Sequence, residues 1–236
     1  MKKSVTSLAI ISAMDKEIAF LHQKLNSQLI YQQAGLEFFG DHPEHPQFVF
    51  VQSGIGKVNA ALATQILIDV FSPKTLLNFG VVGLLQPDIS FDTIILGDRF
   101  VQHDFDTTAF GDRLGQIANF PHFDFLANSN LITQAQVIAS QLHLPTKIGT
   151  IVTGDQFIAN QEKITFLAHE FQALACDMEA AAIAHVANLN QVPLLVVKTI
   201  SDSGDDAAQD TYQQKIAQAI NLYQTFILEL IKNSFF

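Results

Sequence analysis

The chain has 236 residues, of which 48% are hydrophobic and 15% are charged, so it can bury one sizeable core and is not a disordered protein. Its net charge of −10 and the lack of any basic run argue against nucleic acid or an anionic membrane as a partner. The single cysteine, Cys176, excludes an internal disulfide and a multi-cysteine metal site.

The start of the chain has some features of a signal peptide. Two lysines precede the apolar residues 8–11, but this apolar run is too short, and the charged residues 15–17 follow at once. No stretch approaches the ~20 apolar residues that a membrane helix needs. We therefore expect a first strand over residues 8–12 and a cytoplasmic protein.

Hydrophobic periodicity predicts strands that alternate with helices along the chain. The predicted strands cover residues 8–12, 47–52, 76–79, 93–96, 147–152 and 192–199. The predicted helices cover residues 15–25, 57–71, 132–142, 161–171, 178–189 and 211–231. This alternation predicts an α/β fold, a three-layer α/β/α sandwich with a mixed central sheet, in one domain over residues 1–236.

Residues 100–123 have no clear periodicity and contain many aromatic side chains and histidines. An irregular segment of this length is unusual in a compact domain. We expect it to serve a binding site or an interface.

Polar or glycine-rich residues follow four of the predicted strands. Asp202 ends the apolar run that begins at Val192, and α/β sheets bind their ligands at such strand ends. The alternative is that Ser201 or Asp202 caps a following helix. The other three segments are residues 12–17, 53–57 and 78–83, and none has the spacing of a phosphate loop or a dinucleotide-binding motif.

Two acids, Asp177 and Glu179, open an alanine-rich helix, where acids are common because they complement the helix dipole. The eight histidines are scattered, and none has metal-ligand spacing. The chain also lacks a Gly-x-Ser-x-Gly elbow. Metal-dependent hydrolysis and serine hydrolysis are therefore disfavoured, and we expect no metal site.

Six segments follow one another in the order found in a known family. They are residues 10–17 (IISAMDKE), 53–61 (SGIGKVNAA), 107–111 (TTAFG), 153–158 (TGDQFI), 177–186 (DMEAAAIAHV) and 200–202 (ISD). Together they resemble the nucleosidases that cleave 5′-methylthioadenosine and S-adenosylhomocysteine, within the nucleoside phosphorylase superfamily. The resemblance implies a nucleoside phosphorylase-like fold, a small nucleoside as substrate, a homodimer, and hydrolysis that needs no cofactor.

The resemblance also implies which residues are catalytic. Asp202, beside Ser201, would be the general acid that protonates the imidazole ring of adenine. Glu17 would orient and activate the attacking water. These roles suit the reaction, because N-glycosidic cleavage builds positive charge on the ribose and negative charge on the leaving base.

The same resemblance assigns the substrate-binding residues. Met178 and Glu179 would hold the ribose, and Phe157 would stack on the purine while the Ile158 backbone reads its edge. The remaining candidates are Gly83 at the central strand end and, for the alkylthio pocket, Ile55 and Phe110, of which Phe110 would come from the partner subunit.

The chain departs from the family pattern at two places. The family usually has Asn-Thr-Gly-Ser-Ala-Gly-Gly where this chain has NFGVVGL at residues 78–84, which removes two hydroxyls and one glycine. Lys198 stands where the family usually has arginine, and lysine cannot form a guanidinium fork. We expect the first change to narrow the site and remove polar contacts near the reacting centre.

Two other functions stay open at this point. A nucleoside phosphorylase would use phosphate in place of water, although arginine is scarce and Glu17 would repel the anion. A nucleoside-binding protein without activity is suggested by the changes at Val81 and Leu84. The release of adenine with and without phosphate distinguishes the three.

Overall fold

The computed structural model describes residues 5–202 and 208–233, which form a ten-stranded mixed sheet with helices on both sides. The strands β1–β10 are Leu8–Ser12, Gln28–Gln33, Leu36–Gly40, Phe48–Gln52, Thr75–Leu84, Ile94–Gln102, Phe125–Leu126, Thr146–Thr153, Ala173–Asp177 and Leu194–Asp202. The helices α1–α6 are Asp15–Lys24, Lys57–Phe71, Ser129–Gln141, Gln161–Phe171, Ala180–Leu189 and Ala208–Asn233, and a short 3-10 helix covers Thr108–Phe110. The predicted mixed α/β architecture is confirmed.

The long strand β5 organises the sheet, because it pairs in parallel with β1 on one side and with β10 on the other. The sheet continues from β1 through β4, β3 and β2, and from β10 through β6, β8 and β9. The end of β9 then returns to β5, where Cys176 pairs with Gly83 in antiparallel register. The ends of β1, β5, β9 and β10 therefore meet in one place, where an α/β sheet binds ligands.

Apolar side chains pack against both faces of the sheet. On one face, the alanines of α5 are almost fully buried, and their small size lets this helix pack closely against α2. On the other face, Phe20, Phe79 and Tyr223 form an aromatic cluster with ring centroids 5.2 to 6.2 Å apart. Because burying one such side chain contributes roughly 1.5–3 kcal/mol, this cluster fixes α6 firmly over the sheet. No helix in the described part of the chain is long and apolar enough to cross a membrane.

The predicted helices and strands agree with the structure in position, but the predicted end of the strand at residue 79 is wrong. β5 continues through Gly80 and Gly83 to Leu84. Similarly, β6 runs on to Gln102, into the stretch predicted to be irregular. The reason is tertiary pairing. β10 pairs with β5 as far as Gly83, with a register shift after Ile200, and supplies the hydrogen bonds that a glycine-rich segment needs to stay extended, while β8 pairs with β6 as far as Gln102.

The sequence analysis missed four strands: β2, β3, β7 and β9. β2 and β3 form a hairpin whose turn residues, Ala34 and Gly35, both have positive φ, and alanine is not a usual residue there. The strand β9 precedes the alanine-rich helix, which therefore begins at Ala180 and not at residue 178. Periodicity cannot separate a short, fully apolar strand from the start of a buried helix.

Candidate active site

A cavity of about 390 Å³ lies where the ends of β1, β5, β9 and β10 meet. Its walls contain every predicted site residue except Phe110. The other lining residues are Ala13, Met14, Val81, Val82, Gln156, Cys176, Asp177 and Tyr212. Segments that are far apart in the sequence thus come together around one space with both acidic and apolar walls.

Glu17 lies in the first turn of α1, directly after β1, and is only 2% exposed. One carboxylate oxygen accepts hydrogen bonds from the Ser12 hydroxyl at 2.8 Å and the Met14 N–H at 3.0 Å. The other accepts from the Val81 N–H at 3.1 Å. A Cβ at Gly80 would lie 2.7 Å from this second oxygen, so glycine is required for β5 to pass so close to the acid.

Asp202 ends β10 and is 3% exposed. Its Oδ2 accepts a hydrogen bond from the Ser201 hydroxyl at 2.8 Å, while a Cβ at Gly83 would lie 2.8 Å from its Oδ1. Gly83 therefore provides the space that the carboxyl group occupies. The next acids along the chain, Asp205 and Asp206, lie outside the described residues.

Glu179 faces the cavity from the start of α5 and accepts a hydrogen bond from the Gly56 N–H at 2.8 Å. Burial raises the pKa of Glu179 to about 7, and the nearby carboxylate of Asp177 adds to this rise, while Lys198 and the Gly56 N–H oppose it. Glu179 therefore gains or loses its proton near neutral pH. At higher pH it is a carboxylate, and both of its oxygens can accept hydrogen bonds.

Next to Glu179 lies a buried ion pair between Lys198 and Asp177, which the sequence analysis missed. The Lys198 ammonium is 2.9 Å from Oδ2 of Asp177, and both side chains are at most 3% exposed. Asp177 also accepts hydrogen bonds from the Thr153 hydroxyl at 2.6 Å and from the Ala180 N–H. Asp177 is thus the acid that holds the start of α5, as the helix-end interpretation expects.

The charge on Lys198 is stabilised by the acids around it. Burial lowers the pKa of Lys198, but Asp177, Glu179 and Glu17 together outweigh burial and raise it above its usual value. The lysine therefore remains an ammonium ion, and its charge offsets part of the repulsion among the three carboxylates. Spacing alone could not find this pair, because its members lie on β9 and β10, which each pair with β5, and only the folded sheet brings the two side chains together.

Two aromatic side chains, Phe157 and Tyr212, also line the cavity. Phe157 is 51% exposed, and its ring contacts that of Tyr212 edge to face at a centroid distance of 6.1 Å. Tyr212, near the start of α6, donates a hydrogen bond from its hydroxyl to the Met14 sulfur at 3.4 Å. The sequence analysis did not identify Tyr212 or Met14, since a single aromatic residue in a long helix carries no recognisable signal.

The sequence analysis predicts that Phe79, Val81 and Leu84, which differ from the family pattern, narrow the site. This prediction is only partly correct. Val81 does line the cavity. Phe79 instead packs in the aromatic cluster with Phe20 and Tyr223, and Leu84 is buried in the opposite core. Leu84 lies on the opposite face of β5 because side chains alternate along a strand, whereas Phe79 and Val81 share one face, and Val81 lies nearer the strand end, at the cavity.

Phe110 lies apart from the cavity, in the 3-10 helix, and is 88% exposed. Within the described residues, no group of three or more histidine, cysteine, aspartate or glutamate side chains is arranged to hold a metal ion. A larger open groove of about 890 Å³ runs between α1 and the β2–β3 hairpin, but it contains none of the predicted site residues.

Comparison with known proteins decides the family. Residues 7–232 match the family model described as the phosphorylase superfamily. The 5′-methylthioadenosine/S-adenosylhomocysteine nucleosidase of Staphylococcus carnosus is 34% identical over 227 residues, which cover 96% of this chain and 99% of that protein. This chain belongs to the 5′-methylthioadenosine/S-adenosylhomocysteine nucleosidase family.

Two further comparisons agree. The nucleosidase of the same name from Psychromonas ingrahamii is 36% identical over 228 residues, covering 96% of this chain and 98% of that protein. The solved structure of the nucleosidase from S. pneumoniae with the transition-state inhibitor MT-ImmA has a TM-score of 0.86 and 35% identity, covering 95% of this chain and 98% of that chain. The predicted family and its nucleoside phosphorylase-like fold are confirmed.

The buried ion pair yields a prediction about stability. We expect Lys198→Met to lower the free energy of unfolding by about 3–5 kcal/mol, because it leaves buried carboxylates without their counter-ion. Lys198→Arg, which keeps the charge, should lose less. Lys232→Met is the control, since Lys232 pairs with Glu229 at the surface and should change stability by less than ~1 kcal/mol. Urea denaturation measures all three, and equal values for Lys198→Met and Lys232→Met would contradict the prediction.

Proposed function

We propose that this protein hydrolyses the N-glycosidic bond of 5′-methylthioadenosine and S-adenosylhomocysteine and releases adenine. The observation that carries the proposal is the single cavity in which Glu17, Glu179 and Asp202 face one another among apolar walls. The names of the relatives, and the transition-state inhibitor bound to the S. pneumoniae nucleosidase, give the substrate class. The reaction needs one group that protonates the base and another that activates water.

Asp202 is the proposed acid. As the bond between the anomeric carbon and the purine breaks, its electrons pass to the purine, whose imidazole ring takes the proton of Asp202. The Ser201 hydroxyl donates a hydrogen bond to Oδ2, which orients the carboxyl group and favours a proton on the other oxygen, beside Gly83. Burial at the end of β10 keeps bulk water from competing for this proton.

Glu17 is the proposed base. Its two oxygens accept three hydrogen bonds from Ser12, Met14 and Val81, so the carboxylate is held in one orientation toward the cavity. Water attacks the anomeric carbon and gives its proton to Glu17. A buried carboxylate at this position would repel a phosphate dianion, which supports hydrolysis over phosphorolysis.

The remaining assignments concern binding. Glu179 would accept hydrogen bonds from the ribose hydroxyls, and Met178 would pack against the sugar. Phe157 would stack on the purine, and the Ile158 backbone would read its edge. Ile55 would contact the alkylthio group. All five residues line the cavity, and the carboxylate of Glu179 would also stabilise the positive charge that develops on the ribose.

We also propose a homodimer in which Phe110 closes the alkylthio pocket of the partner subunit. Phe110 is 88% exposed, and Ile55 and Val58 at the start of α2 are exposed by 52% and 78%. The ion pair between Lys57 and Asp104 joins this part of α2 to the segment that leads to Phe110. Exposed apolar residues grouped in this way are typical of an interface. The one cysteine is buried and unpaired, which is compatible with the cytoplasmic location that we propose.

The first test of the function is the requirement for phosphate. The purified protein should release adenine from 5′-methylthioadenosine in phosphate-free buffer, with free methylthioribose as the second product. Added phosphate should leave the rate and the product unchanged. Dependence on phosphate would indicate a phosphorylase, and binding without adenine release would indicate a protein that only binds nucleosides.

Asp202→Asn tests the acid. The amide keeps the shape of the side chain but has no carboxylic proton, and general acid catalysis typically contributes ~10²–10⁴-fold to the rate. We therefore expect kcat to fall by about that factor, with an unchanged circular dichroism spectrum. Asp69→Asn, at an exposed position of α2, is the matched control and should retain full turnover. Near-normal turnover of Asp202→Asn would move the acid role to another residue.

Phe110→Ala tests the shared pocket. We expect KM for 5′-methylthioadenosine to rise about tenfold, since the methylthio group loses an apolar wall worth roughly 1.5 kcal/mol, while KM for adenosine should rise less. Phe166→Ala, at another exposed aromatic position, on α4, should change neither value. Sedimentation measures assembly in parallel, and a fully active monomer would contradict the role of Phe110.

A further inference from the structure

Two side chains of the cavity wall have no role in the proposed reaction. Met14 and Tyr212 both line the cavity, and the Tyr212 hydroxyl donates its hydrogen bond to the Met14 sulfur at 3.4 Å. A thioether is a weak acceptor, so this hydroxyl can turn to a stronger acceptor at little cost. Tyr212 also contacts Phe157, the residue proposed to stack on the purine, which places its hydroxyl near the bound nucleoside.

A cation lies over the ring of the same tyrosine. The Lys16 ammonium is 4.6 Å from the centre of the Tyr212 ring, and Lys16 itself is exposed. Its neighbour on α1, Asp15, is exposed as well. The interior of the cavity is lined by Glu17, Glu179 and Asp202, so an anionic group on a ligand would be repelled there. The rim at Lys16 and Tyr212 is where such a group could be held.

We propose that Lys16 and Tyr212 form a recognition site for a carboxylate at the end of the 5′ substituent, so that the protein favours S-adenosylhomocysteine over 5′-methylthioadenosine. The inference rests on the proposed function, because that function assigns the interior acids to the ribose and purine and leaves the rim to the 5′ substituent. The Tyr212 hydroxyl donates a hydrogen bond to the carboxylate, and Lys16 supplies the opposite charge. Hydrogen bonds to charged groups are the stronger class, which gives this arrangement its selectivity.

The test uses two adenine nucleosides whose 5′ thioethers have the same number of carbon atoms. One is 5′-(3-carboxypropylthio)-5′-deoxyadenosine, and the other is 5′-butylthio-5′-deoxyadenosine. The quantity measured is the ratio of their kcat/KM values, because a purely structural effect of a substitution changes both values together. The unmodified protein should prefer the carboxylate despite the lower hydrophobicity of its tail.

Each rim residue should change this ratio in a distinct way. Tyr212→Phe removes only the hydroxyl and should lower the ratio about tenfold, the lower end for a hydrogen bond to a charged group. Lys16→Gln should lower it about threefold at low salt, because an exposed charge pair is weaker. The effect of Lys16→Gln should shrink at high salt, where exposed charges are screened.

Two control variants separate the rim from general effects. Tyr31→Phe removes a hydroxyl on β2 that bonds Gln33, and Lys24→Gln removes an exposed charge from the last turn of α1. Neither should change the ratio. A ratio near one in the unmodified protein, or ratios that Tyr212→Phe and Lys16→Gln leave unchanged, would overturn the proposal.

A failure of the proposed carboxylate site can be distinguished from a failure of the proposed nucleosidase function. Adenine release from 5′-methylthioadenosine establishes the function whatever the ratio is. If no nucleoside is cleaved, the function fails, and calorimetric binding of the same two thioethers decides the inference instead. Tighter binding of the carboxylate that Tyr212→Phe abolishes would support the rim site, and equal binding would reject it.

Discussion

The buried ammonium of Lys198 makes this site possible. Glu17, Asp177 and Glu179 approach one another in a region from which water is largely excluded, and together they keep Lys198 charged. Like charges at such proximity repel, and a buried carboxylate without a partner is costly. The lysine reduces that cost, but not completely, since the pKa of Glu179 still rises to about 7. The site thus retains one acid that titrates in the neutral range.

The same ion pair connects the chemistry to the fold. Asp177 ends β9, binds Lys198 of β10 and accepts hydrogen bonds from Thr153 of β8 and from the start of α5, so one side chain joins three strands and a helix. Glu179 follows two residues later and takes its position from this arrangement. A change in the pair would therefore move the group proposed to bind the ribose. Stability and function depend on the same contact, which is common for polar networks in a low-dielectric environment.

Two glycines in β5, Gly80 and Gly83, leave the space that the carboxylates of Glu17 and Asp202 occupy. Glu17 follows β1 and Asp202 ends β10, the two strands that flank β5, and their carboxylates lie only 2.7 and 2.8 Å from where Cβ atoms of residues 80 and 83 would be. The strand keeps its pairing with β10 while it lacks those two side chains. The strand β5 can thus stay extended between the proposed base, Glu17, and the proposed acid, Asp202. This explains why the glycine-rich segment beyond the predicted strand end at residue 79 is extended in the structure.

The sequence by itself determined the alternation of helices and strands, the family, and nine of the residues that line the cavity. These follow from local periodicity and from short motifs such as residues 200–202, whose residue types are needed for the chemistry. Only the tertiary structure decided that β5 runs on to Leu84, that Phe79 belongs to the core, and that Lys198 pairs with Asp177. It also brought Tyr212 and Lys16 to the rim of the cavity. Each of these depends on contacts between residues far apart in the chain, and local sequence patterns carry no information about which distant segments will meet.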